Sequence, residues 1–282
     1  MVYNETFDSE FYNSLALFKM NMQIPIAAGS EGTRKSNAKG TGVEFSDFRE
    51  YIPGDDIRRV DWNAYARFDR LFVKLFMEEK EGLFRIYLDS SASMDYGVTK
   101  KSRLALQFAA AFSYLILDNN DRVTLGIMSN NTLSLEKSVS GIRSFSKIID
   151  SLSRVTFAGE NDLYSSISGK DILHPGITIV ISDFFSKDIE KTIKYLKQKK
   201  QEIIFIHTLA EEELNPVIPG TFNLVDSENN LSLKVTGSNG LLKKYDKSLN
   251  TYLTNTKNLC KKYGVKYIFA NTKNSFINTL RG

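Results

Sequence analysis

The chain has 282 residues, 42% hydrophobic and 25% charged, with a formal net charge of +4. This is ordinary globular composition, long enough for a sizeable core, and too weakly basic for a nucleic-acid binder. A single cysteine, Cys260, excludes an internal disulfide framework and fits a reducing compartment.

The N-terminus, Met1-Val2-Tyr3-Asn4-Glu5-Thr6, lacks the basic and apolar regions of a signal peptide. The longest near-apolar stretch, Leu104 to Leu117, is too short to span a bilayer. The expectation is a soluble, cytoplasmic protein with no membrane span.

In chain order, a helix is expected around Glu10 to Met20. Residues 28 to 42, rich in Gly, Ser, Lys and Asn, read as a loop or linker. From Glu44 to Glu81 both charge signs are dense. Pro53-Gly54 signals a turn, and Asp55 or Asp56 suits the cap of a short helical segment. The block from Glu44 to Arg67 reads as ion pairs and turns fastening this segment to the core, with Tyr51, Trp62 and Tyr65 as packing anchors. Its other reading is a binding surface. Phe72 to Phe76 alternates as a strand does.

Strands and helices alternate from Leu83 onward. Strands are expected at Leu83 to Leu88, Val123 to Met128, Ile177 to Ile181, Glu202 to Leu209 and Lys266 to Ala270, with an edge strand at Thr132 to Lys137. Helices are expected at Ser102 to Asn119, Ile142 to Leu152, Asp162 to Ser168, Lys187 to Gln198 and Leu241 to Tyr263. A hairpin around Ser227 to Asn230 interrupts the rhythm. Alternation of this kind predicts an α/β fold: a Rossmann-type, mostly parallel sheet with helices on both faces. The charged N-terminal segment is expected to pack on it. The division expected is 1–81 for the N-terminal helix, linker and charged segment, and 82–282 for the α/β domain.

The chemistry concentrates at Asp89-Ser90-Ser91-Ala92-Ser93, directly after the first strand of that domain. In open α/β sheets, ligands bind at the carboxyl ends of strands. Asp89, Ser91 and Ser93 alternate, so three oxygens can converge on one hard cation. Asp183 ends a second strand in the same way. The other reading of these residues is turn and helix capping. Cys260 reads as a packed thiol, and His174 and His207 lack the spacing of a zinc site. The lysines of 187–200 and 243–262 read as solvated helix faces.

The run from Gly40 to Ala64, with Ala66-Arg67, Phe72-Val73-Lys74, Glu78-Glu79 and the loop at Asp89, resembles bacterial domain-of-unknown-function family fifty-eight. Its members end in a von Willebrand factor A-like domain. The Asp-x-Ser-x-Ser pattern with a later Asp resembles the metal-ion-dependent adhesion site of such domains. The resemblance implies Mg²⁺, Mn²⁺ or Ca²⁺ held by Asp89, Ser91, Ser93, Asn161 and Asp183. Asn161, in Gly159-Glu160-Asn161-Asp162-Leu163, stands where the family has Thr, so the site departs from the pattern and can be degenerate. It further implies a non-enzymatic, metal-dependent protein-interaction module, an adaptor or chaperone-type partner of a MoxR-type AAA+ ATPase or its client. The alternative is a metal-independent structural adaptor. A Mg-dependent phosphatase is less favoured, because Ser91 stands where its second Asp is needed.

Overall fold

The computed structural model describes residues 6–21, 44–77, 81–186, 188–216, 220–225, 232–236 and 239–281. The linker reading at 28–42 and the hairpin turn at 227–230 lie outside these residues. In chain order the first elements are α1 (Ser9–Asn21), β1 (Glu44–Glu50), α2 (Trp62–Phe68), β2 (Phe72–Met77) and β3 (Leu83–Asp89). Next come α3 (Lys101–Asp118), β4 (Arg122–Ser129), β5 (Thr132–Leu135), β6 (Val139–Ser140), α4 (Phe145–Ser153) and α5 (Leu163–Ser168). Then follow β7 (Gly176–Ser182), α6 (Ile189–Gln198), β8 (Gln201–Leu209), α7 (Glu211–Leu214), β9 (Thr221–Val225) and β10 (Ser232–Thr236). The last are α8 (Asn239–Lys262), β11 (Lys266–Asn271) and α9 (Phe276–Arg281).

Two compact units form: Met1–Gln23 with Leu83–Gly282, and Ile24–Gly82. The first contains a seven-stranded sheet in the order β11-β8-β7-β3-β4-β5, with β6 also pairing β4. Strands β11, β8, β7, β3 and β4 are parallel, while β5 and β6 run antiparallel to β4. From Ile86, Ile177 and Ile203 onward, every residue of β3, β7 and β8 is buried. Such continuous apolar runs are what a parallel sheet covered on both faces demands. Helix α3 packs on one face, where buried Ala109, Ala110 and Ala111 allow close approach. On the other face Tyr87, Val180 and Phe205 meet Leu163, Ile193, Leu196 and Cys260 of α5, α6 and α8. Cys260 is thus a packed thiol, its pKa raised to about 11 by burial. Strands β9 and β10 pair antiparallel as a separate hairpin.

Helix α1 belongs with this unit, whereas the expected grouping joined it to the charged segment. Its Phe11 ring lies 5.5 Å from Phe276, and Asp8 receives Arg103 of α3 at 3.3 Å. Among the described residues, no helix is long and apolar enough to cross a membrane.

In the smaller unit β1 pairs antiparallel with β2, with an irregularity between Phe45 and Asp47. Asp56 caps the turn Ile57–Arg59 through the Arg58 amide, and Asp61 caps α2 through the amides of Asn63 and Ala64. Arg49 pairs with Asp55 at 2.8 Å, Arg70 with Glu50 at 3.1 Å and Lys74 with Asp61 at 3.2 Å. The expected ion-pair network therefore exists inside this segment. Of the expected packing anchors, Tyr51 is half-buried, while Trp62 and Tyr65 are exposed and pack on each other edge to face. They sit three residues apart on one face of α2, and that face is turned to solvent.

Candidate functional site

The chain leaves β3 for β4 on one side and later returns to β7 on the other, so β3 and β7 flank a topological switch point. Their ends lie side by side, with Leu88 opposite Ile181. Asp89 is the last residue of β3, and Asp183 directly follows β7. Ser91 and Ser93 lie on the loop that leaves β3, and Asn161 precedes α5. The crevice where ligands bind in open α/β sheets is therefore lined by residues read from the sequence.

Asp89 is buried and accepts three hydrogen bonds. The Ser91 amide reaches Oδ1 at 3.1 Å, Asn161 Nδ2 reaches the same oxygen at 3.2 Å, and Ser182 Oγ reaches Oδ2 at 2.6 Å. Burial, then the charge of Asp183, pushes the Asp89 pKa up to about 6, against the bonds from Ser182 and Ser91 that favour ionisation. The hydroxyls of Ser91 and Ser93 lie 3.1 Å apart. Asn161 belongs to the cluster in an unexpected orientation. Its amide nitrogen faces Asp89, and its Oδ1 accepts from Ser166 Oγ at 2.6 Å. Asp162 is turned away, capping α5 and accepting from Ser186.

Asp183 sits in a second network, built on residues that the sequence reading did not single out. Its Oδ2 accepts from Lys101 Nζ at 2.8 Å, and its Oδ1 from the Phe185 amide at 3.2 Å. Lys101 also donates to Glu213 Oε1 at 2.6 Å. Burial alone would lower the pKa of this ammonium, but Asp183 and Glu213 outweigh it and hold it above its usual value. One signal for Lys101 was available. It stands three, four and seven residues before the buried Leu104, Ala105 and Phe108, so a charge occupies the apolar stripe of α3.

The donor set allows a test of the cation reading. Asp89, Ser91 and Ser93 offer one carboxylate and two hydroxyls, all hard oxygen donors that suit Mg²⁺ or Mn²⁺. Asn161 offers a donor in this orientation, and Asp183 is already ion-paired. Asp183 and Glu213 share the Lys101 ammonium and Asp89 lies near Asp183, so these three carboxylates and one ammonium sum to −2 if all are ionised. A divalent ion would balance that charge. The raised Asp89 pKa reflects burial first and the nearby Asp183 charge second.

Residues 47–251 match the family described as "Protein of unknown function DUF58". The chain belongs to this family. Uncharacterised proteins of Mycobacterium bovis and Mycobacterium tuberculosis are 26% identical over 184 residues, 63% of this chain and 56% of each relative. The match thus spans little more than half the length of these relatives. Among solved structures, BatB from Bacteroides thetaiotaomicron aligns with a TM-score of 0.40 at 14% identity, over 71% of this chain and 94% of that one. The SpRpn10 VWA domain aligns at 0.41 and 9% identity, over 71% and 94% of the two chains. The strand order, not these likenesses, defines the fold of this DUF58 protein.

Proposed function

We propose that this DUF58 chain is a non-enzymatic protein-interaction module that docks its partner at the Asp89 crevice, with a divalent cation bound there. Mg²⁺ is the first candidate, Mn²⁺ and Ca²⁺ the alternatives. The geometry of the strand ends carries the reading: the buried Asp89 carboxylate stands near Asp183, and the hydroxyls of Ser91 and Ser93, 3.1 Å apart, lie on the loop that Asp89 opens. Asp89, Ser91 and Ser93 would hold the cation, and the partner would add an acidic side chain. The family resemblance points to a MoxR-type AAA+ ATPase or its client as that partner.

Catalysis is the weaker reading on chemical grounds. Ser91 cannot serve as a carboxylic acid/base. His207 is fully buried, its pKa lowered to about 4 by burial, and its Nδ1 is spent on the Tyr267 hydroxyl at 2.7 Å. A metal-independent adaptor is the second reading, favoured by the amide of Asn161 closing the Asp89 oxygen with a hydrogen bond.

Titration calorimetry with Mg²⁺ and Mn²⁺ tests the choice. Binding to wild type that Asp89→Ala abolishes is the expected result. Equal binding by both would place the ion elsewhere. No binding, with capture of a MoxR-type ATPase undiminished in EDTA, would leave the metal-independent adaptor.

A further inference from the structure

Lys101 opens α3, and its side chain is wholly buried. Lysine is almost never fully buried unless paired. Here the pairing is double, to Asp183 of the β7 loop and Glu213 of α7, and the ammonium lies 5.6 Å from the Phe185 ring centre. Asp183 Oδ1 holds the Phe185 amide at 3.2 Å, and Glu213 Oε2 holds the Ala210 amide at 2.8 Å.

We propose that Lys101 is the resident counter-ion of Asp183 and keeps this carboxylate out of the cation's coordination shell, leaving Asp89, Ser91 and Ser93 as the chain's own ligands. The inference rests on the cation reading of the same crevice and refines its ligand set. An incoming ion that recruited Asp183 would have to compete with an ammonium already held between two carboxylates away from water, where such charges interact strongly. Lys101 is thus a positioning residue. It fixes the loop after β7 and the start of α7 against α3, and it limits the charge presented to a metal. Without it, Asp183 and Glu213 would face each other with no cation between them. Unpaired buried carboxylates of that kind are strong ligands for a hard ion.

Mn²⁺ uptake, read as loss of the free-ion electron paramagnetic resonance signal, tests this on the full chain. Lys101→Met keeps the length and removes the charge. It should bind Mn²⁺ about tenfold or more tightly than wild type, and a given Mn²⁺ concentration should raise its melting temperature more than that of wild type. Asp183→Asn in the otherwise wild-type chain should weaken Mn²⁺ binding by no more than about threefold, since it removes a nearby charge but no ligand. If Lys101→Met does not fold, Lys101→Met/Glu213→Gln removes one of the freed charges and takes its place. A tenfold loss in Asp183→Asn would overturn the proposal, and so would a lysine-free variant that binds no more Mn²⁺ than wild type. Uptake by the lysine-free variant alone would sink the cation reading of the wild type, and with it Asp89, Ser91 and Ser93 as its ligands, leaving Lys101 only as the counter-ion of Asp183 and Glu213.

Discussion

Asp89 accepts three hydrogen bonds and still sits where its charge is disfavoured, because burial and Asp183 together outweigh those bonds. The identity of residue 161 then decides how well a cation can relieve it. Asn161 spends its carbonyl on Ser166 and its amide on Asp89. To ligate a metal it must turn both ends around and leave Ser166 without an acceptor. A threonine has no such conflict, since one hydroxyl oxygen both accepts and donates. Asn161→Thr should therefore tighten Mg²⁺ binding several-fold, about 1 kcal/mol, roughly the net worth of one hydrogen bond. Calorimetry on the two proteins checks it; an unchanged affinity would mean that position 161 does not reach the ion.

The loop after β7 is the element that holds the two networks together. Ser182 donates to Asp89 at 2.6 Å while its oxygen receives the Phe184 amide at 3.0 Å, and Asp183 meets Lys101 on the other side. This turn puts Phe184 at φ 56°, a left-handed conformation costly for a bulky side chain. What retains it is the ring, fully buried with its centroid 4.5 Å from that of Phe205, and the Tyr252 hydroxyl bonded to its carbonyl at 2.6 Å. Glycine would relieve about 1–2 kcal/mol of strain. Losing a buried phenylalanine costs about 3–5 kcal/mol, so packing wins. Phe184→Gly should lower unfolding free energy by about 1–4 kcal/mol in urea titrations; a stabilised variant would show that strain dominates. The strands here were legible because β3, β7 and β8 are apolar on both faces and bounded by breakers. The two-residue β6 and the four-residue α7 carry too little pattern to be read. The link from Lys101 to Asp183 and Glu213 spans 82 and 112 residues, and no local periodicity encodes such a contact. Asn161 was legible as a position, but its orientation depends on Ser166, which a motif does not include.

For the whole molecule, the site and the core are coupled through two buried groups that titrate in opposite senses. The Asp89 pKa rises from 3.8 to about 6 on folding, so its burial costs nothing at low pH and its full penalty above pH 6. Each unit is worth about 1.4 kcal/mol, so that penalty is about 3 kcal/mol in metal-free protein. The His207 pKa falls from 6.5 to about 4, chiefly by burial. Its contribution is fully present above pH 6.5 and is lost as pH falls through 4, again by about 3 kcal/mol. Between pH 4 and 6 the folded state holds an extra proton on Asp89 and lacks one on His207, so the two slopes nearly cancel. His207→Asn keeps a polar atom toward Tyr267 and removes only the histidine's slope. In chelator-treated protein the stability of wild type minus that of His207→Asn should grow by about 3 kcal/mol from pH 4 to 6.5. Denaturant unfolding at several pH values measures it. A difference that stays constant with pH would show that His207 titrates alike in the folded and unfolded chain.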